Sequence, residues 1–125
     1  MDCLTENGVT EASIDVVHVP GAWEIPQAAK RILSRGGHDA VVALGCVIRG
    51  ETPHFDFVAG EAAQGLSRVA SQHPVPVVFG VLTTDTVEQA VARAGSGSAN
   101  KGREAALSAL EMVDLFQRLD EGLGS

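Results

Sequence analysis

The segment from Leu44 to Val58, LGCVIRGETPHFDFV, carries an apolar strand into a polar, turn-rich loop and then to a histidine. Gly45 and Gly50 let the backbone turn sharply and come close to a ligand, and Pro53 suits an early helical position where no amide donor is needed. Glu51, Thr52 and His54 thereby cluster at a predicted helix N-terminus. Unpaired amides and the positive end of the helix dipole favour a phosphate-sized anion there, and an imidazole titrating at about pH 6.5 can move protons at neutral pH. The spacing therefore offers a bound phosphate beside a proton donor. The competing reading is a structural or merely exposed loop histidine, and the residues alone leave both open.

Other reactive or aromatic residues have two readings each. Arg93 can fork two donors onto phosphate oxygens or be one more solvated helix charge. Phe79 falls in a predicted core strand, and Trp23 suits packing as well as a binding site. Lys101 follows the loop GSGSAN, which invites a phosphate-loop reading, but the motif fails. There is no Gly-Lys-Ser/Thr and no Gly-x-Gly-x-x-Gly, and the loop follows a helix where both nucleotide motifs require a strand. The four histidines, His18, His38, His54 and His73, show no i, i+4 pair and no Cys-x-x-Cys companion, so no metal site is expected.

The elements that must position these residues alternate. Ile14 to Val19 is β-branched and ends at Pro20-Gly21, which predicts a strand. A helix is predicted from Glu24 to Ser34, with Ala28, Ala29, Ile32 and Leu33 as its apolar stripe and Gly36-Gly37 as its stop. Ala40 to Leu44 reads as a short strand buried on both faces. Val58, Ala62, Leu66 and Val69 then recur at helical spacing up to Ser71, and Val77 to Leu82 is a third buried strand. Asp85-x-x-Glu88 has the form of a capping box opening a helix to Ala94. A final helix from Asn100 to Leu119 presents Ala106, Ala109, Leu110, Val113 and Phe116. Such alternation predicts an α/β fold, a parallel sheet with helices on both faces and ligands beyond the carboxyl ends of the strands. Those ends are Pro20 to Glu24, Gly45 to His54 and Leu82 to Thr86.

Composition limits the partners. A single domain is expected from 125 residues, and a net charge of −7 argues against nucleic-acid or anionic-membrane surfaces. No apolar run approaches the roughly 20 residues needed to cross a bilayer, and Met1-Asp2-Cys3 does not open a signal segment, so a cytoplasmic protein is the expectation. Cys3 and Cys46 are expected as free thiols.

The Leu44 to Val58 segment, VPGAWEIP at Val19 to Pro26, FGVLTTDTVEQAVARAG at Phe79 to Gly95 and NKG at Asn100 to Gly102 together resemble the lumazine synthases of riboflavin biosynthesis. The resemblance runs in order from Gly8 to Leu119. It implies a three-layer, flavodoxin-like parallel sheet with helices on both faces. It also implies that residues 1–125 are one lumazine synthase domain, N-terminally incomplete relative to the family, whose members begin with a further strand inside the sheet and most of a helix. That strand carries an aromatic residue that stacks on the pyrimidine.

The implied reaction joins 5-amino-6-(D-ribitylamino)uracil to 3,4-dihydroxy-2-butanone 4-phosphate and gives 6,7-dimethyl-8-ribityllumazine, with no metal or organic cofactor. By resemblance His54 is the proton donor, Glu51 and Thr52 belong to the butanone-phosphate loop, and Arg93 grips the phosphate. Ala22, Trp23, Glu24, Cys46, Val47 and Ile48 meet the pyrimidine substrate, largely through backbone groups. Phe79 enters the neighbouring subunit's site, and Lys101 is either electrostatic support near the phosphate or a helix-start residue without a role. The substrates are small molecules and the protein a homo-oligomer: the family forms pentamers, and in some members a sixty-subunit icosahedral shell, which the short loop Gly95 to Gly102 favours. Two alternatives differ in class. One is a non-catalytic truncated shell subunit, and the other is a different phosphate-handling flavodoxin-like enzyme, such as an aldolase using Lys101.

Overall fold

The computed structural model of the chain describes residues 2–48, 54–84, 88–89 and 101–122, and side chains over 3–47, 57–81, 88–89 and 102–122. Four α-helices are described: α1 (Asp2–Glu6), α2 (Ile25–Arg35), α3 (His54–Gln72) and α4 (Lys101–Asp120). Two strands, β1 (Val41–Ile48) and β2 (Val77–Thr84), pair in parallel over their whole lengths, from Val41 opposite Val77 to Ile48 opposite Thr84. The crossover between them is α3, as a parallel pair requires. Among the described residues no helix is long and apolar enough to cross a membrane.

The strand faces explain the layers. Ala43, Val47 and Val81 point to one side and form the core with Ile25 and Ala29 of α2 and Leu66 and Val69 of α3. The i, i+4 pair Ile25 and Ala29 in α2, and Val58, Leu66 and Val69 in α3, supply the apolar stripes that cover this side of the sheet. The other side receives α4 through Ala105, which approaches Gly80, while Ala106 and Ala109 are also buried. Gly36 and Gly37, at φ of 74° and 93°, end α2 in the left-handed region expected of a glycine stop.

Two glycines on opposite faces of the sheet set how closely the helices sit. At Gly45 an added Cβ would lie 3.3 Å from Ile25 Cδ1; at Gly80 it would lie 2.8 Å from Leu44 Cδ2, 3.0 Å from Ala105 Cβ and 3.1 Å from the Ala43 carbonyl oxygen. The Ala43 oxygen belongs to the neighbouring strand and cannot rotate away. Overpacking of this kind costs about 1–3 kcal/mol, against about 0.4–1 kcal/mol gained by restricting the unfolded chain. Gly80→Ala is therefore expected to destabilise the protein by about 1–2 kcal/mol. Urea unfolding checks it, and an unchanged or higher midpoint would show that α4 yields freely.

The segment Ile14 to Val19 corrects one expectation. It runs without regular secondary structure after a 3-10 turn at Glu11–Ser13, and among the described residues no strand pairs with it. Val16 and Val17 are 57% and 59% exposed, whereas Val19 packs against the core. β-branched composition favours a pleated surface but supplies no ladder partner, and without one a strand does not form. The sheet of described residues thus has two strands, not three. The other boundaries shift modestly: β1 continues through Gly45 and Cys46 to Ile48, and β2 to Thr84, because the two strands pair throughout. The proposed capping box at Asp85 and the helix to Ala94 lie outside the described residues except for 88–89.

Side-chain bonds fasten the N-terminal part. The Asn7 Nδ2 donates to the Cys3 carbonyl at 2.7 Å, and Cys3 itself is buried, its thiol 3.8 Å from the Arg103 carbonyl oxygen of α4. Arg103 Nη1 donates to Glu6 Oε2 at 3.1 Å, and this hydrogen bond raises the guanidinium pKa further above its ordinary value. His38 Nε2 lies 2.7 Å from Asp15 Oδ2, tying the 14–19 segment to the loop before β1.

Candidate active site

Some of the candidate residues lie toward the sheet's carboxyl end. Pro20-Gly21 leads into a 3-10 turn at Ala22–Glu24, which runs directly into α2, with Pro26 in the first helical turn where its missing amide costs nothing. This turn packs against α3 and against β1. Gly21, Ala22, Trp23 and Glu24 line a half-open pocket of about 570 Å³ with Phe57 and Val58 of α3. Its size suits a small organic ligand.

The pocket's chemistry is mixed. Trp23 is 58% exposed and Phe57 67%, so two large aromatic side chains stand in solvent beside one carboxylate. Glu24 Oε2 is shielded from solvent and has no hydrogen-bond partner among the described residues; Gly21 lies close enough that its missing Cβ would be 3.6 Å from that oxygen. A shielded carboxylate oxygen without a donor is costly, and a ligand hydroxyl or amine would relieve it.

The remaining candidates are placed as follows. His54 is the first residue of α3 and Lys101 the first of α4, and the side chains of both fall outside those described, as does that of Ile48 at the end of β1. Cys46 and Val47 occupy the last turns of the β1 ladder toward the carboxyl end; Cys46 is an exposed free thiol, and the Val47 side chain is buried in the core. A ligand meeting Val47 therefore meets its backbone. Glu51, Thr52 and Arg93 lie outside the described residues. Phe79 does not join the group. It pairs with Ala43 in the first half of the ladder, away from the carboxyl end, and is 41% exposed.

Sequence reasoning missed Phe57. It stands one turn beyond His54 in HFDF, and a phenylalanine at that position reads as core until its exposure is known. The available signal was its spacing from His54, since positions three apart share a helix face.

The structure thus supplies a mixed α/β chain with a small parallel sheet, helices on both faces, and a pocket at its carboxyl end. The sequence profile of the 6,7-dimethyl-8-ribityllumazine synthase family matches residues 1–117. The chain belongs to that family, has its flavodoxin-like fold, and is a transferase that makes 6,7-dimethyl-8-ribityllumazine in riboflavin biosynthesis.

Proposed function

We infer that residues 1–125 form one domain in which the turn Ala22–Glu24, the end of β1 and the start of α3 bind 5-amino-6-(D-ribitylamino)uracil and 3,4-dihydroxy-2-butanone 4-phosphate side by side. The convergence of these three segments at one end of the sheet carries the reading. Ala22, Trp23, Glu24, Cys46, Val47 and Ile48 take the pyrimidine substrate, and burial of the Val47 side chain supports a contact made by backbone. Glu51 and Thr52 bind the butanone phosphate with Arg93, and Lys101 adds positive charge near the phosphate. His54 at the start of α3 donates and accepts protons.

In this assignment the 5-amino group of the pyrimidine attacks the ketone carbonyl, and water leaves as the imine forms. His54 moves protons while the carbon–oxygen bond to phosphate breaks and phosphate departs, and the second amine then closes the ring on the carbonyl carbon so generated, with loss of a second water. Juxtaposing the two reactants supplies much of the rate. Incubating the purified protein with both substrates tests the reading. Lumazine fluorescence is the expected result, and its absence from a folded, assembled sample would overturn the assignment.

Assembly follows from Phe79. A phenylalanine 41% exposed and away from its own chain's carboxyl-end pocket supports a role in a neighbour's site. Head-to-tail contacts of that kind close as rings, and a pentamer is the expected unit, with the icosahedral shell as its larger form in the cytoplasm. Analytical ultracentrifugation is expected to show a species no smaller than a pentamer; a stable, active monomer would remove the shared site. The exposed Val16, Val17 and Leu44 and the two-stranded sheet support a further strand completing the domain beside β1.

A further inference from the structure

We propose that Gly45 and Gly65 are positioning residues for the pyrimidine substrate: one in β1 and one in α3, they leave the two gaps that seat Ile25 and Pro26 and so fix where the Ala22–Glu24 turn stands. Neither glycine touches substrate in this role, which rests on the assignment of the turn to the pyrimidine.

The two seats take consecutive residues. A Cβ built on Gly65 would lie 2.7 Å from both Cβ and Cγ of Pro26, too close for either to stay in place. The proline ring is rigid and held in the first turn of α2, so the backbone would have to yield. On the other side a Cβ on Gly45 would lie 3.3 Å from Ile25 Cδ1, the flexible end of a side chain. Ile25 and Gly65 are both buried. Immediately before Ile25 stands Glu24, the last residue of the turn, and immediately after Gly45 stand Cys46 and Val47 of β1. The same seats therefore set the distance between the turn and the strand end assigned to one substrate.

α3 supplies the other half of the fit. A glycine inside a 19-residue helix lowers its stability, so its place there calls for a packing reason. Val58, which lines the pocket with the turn, stands seven residues before Gly65 on the same helix face, about 10 Å along the axis. Thickening α3 at Gly65 thus lifts the turn away from the pocket wall that Val58 forms.

Steady-state kinetics of the assembled protein test this in Gly65→Ala, Gly45→Ala and the double variant Gly65→Ala/Pro26→Gly. Overpacking at Gly65 is expected to raise KM for the pyrimidine roughly 5- to 50-fold, and Gly45→Ala, opposed only by a flexible side chain, to raise it less. KM for butanone phosphate should keep its wild-type value. Pro26→Gly removes the ring that the new methyl strikes, so the double variant should recover most of the loss in pyrimidine KM even though a second glycine costs stability. A lower urea midpoint with pyrimidine KM unchanged in both single variants would make the glycines merely structural and overturn the proposal. Equal rises for both substrates, or a double variant no better than Gly65→Ala, would do the same. Should Gly65→Ala fail to assemble, Gly45→Ala decides alone, with Ile25→Val, which removes Cδ1, as its rescuing partner. A wild-type protein that makes no lumazine fails the underlying assignment, a result separate from any effect of the glycines.

Discussion

Replacing His54 by alanine is expected to lower turnover by roughly 10² to 10⁴, the range over which a positioned general acid–base acts. The position supports this: His54 opens α3 at the carboxyl end of β1, the end at which the Ala22–Glu24 turn also lies. Several steps need a proton moved, and an imidazole holds either state at neutral pH. KM for both substrates should change little, because the side chain acts on the barrier rather than on ground-state binding. Residual turnover should remain, since two bound reactants still react by proximity. Single-turnover measurement of lumazine formation checks it, and a rate equal to that of the wild type would exclude His54 as the proton donor.

Arg93→Ala is expected to act on binding. Hydrogen bonds to a charged group are worth about 1.5–3 kcal/mol each, so KM for butanone phosphate should rise roughly 10- to 100-fold. Inorganic phosphate, acting as a competitive inhibitor, should lose affinity by a similar factor, while KM for the pyrimidine stays put. Arg93→Lys should recover part of the loss, because a lysine keeps the charge but not the two-donor fork. Unchanged inhibition by phosphate in the alanine variant would transfer the phosphate site to other residues.

The helices were the most legible part of the fold. Val58, Ala62, Leu66 and Val69 show the period of a helix in sequence; in the structure Leu66 and Val69 are in the core, Val58 packs against it and Ala62 is buried. The strands were legible as apolar runs but not in their limits. Gly45 and Cys46 read as the beginning of a loop, yet pairing with Val81 and Leu82 carries β1 through them to Ile48. Ile14 to Val19 marks the physical boundary of such reading: strand formation depends on a neighbour, which a local composition does not contain. At the site, glycine and proline placed the Ala22–Glu24 turn and the start of α3, whereas Phe57 was hidden because exposure is a property of the packed chain.

The β1–β2 ladder has a consequence for exchange of backbone protons. The Val41 amide donates to the Pro76 carbonyl at 2.9 Å, so in a parallel ladder the amides of Ala43, Gly45 and Val47 also turn toward β2. Those of Val42, Leu44 and Cys46 turn the other way, where no strand lies among the described residues. Hydrogen–deuterium exchange along β1 should therefore alternate, slow at every odd position and fast at every even one. A strand that docks beside β1, whatever its origin, reports itself by slowing the even amides alone.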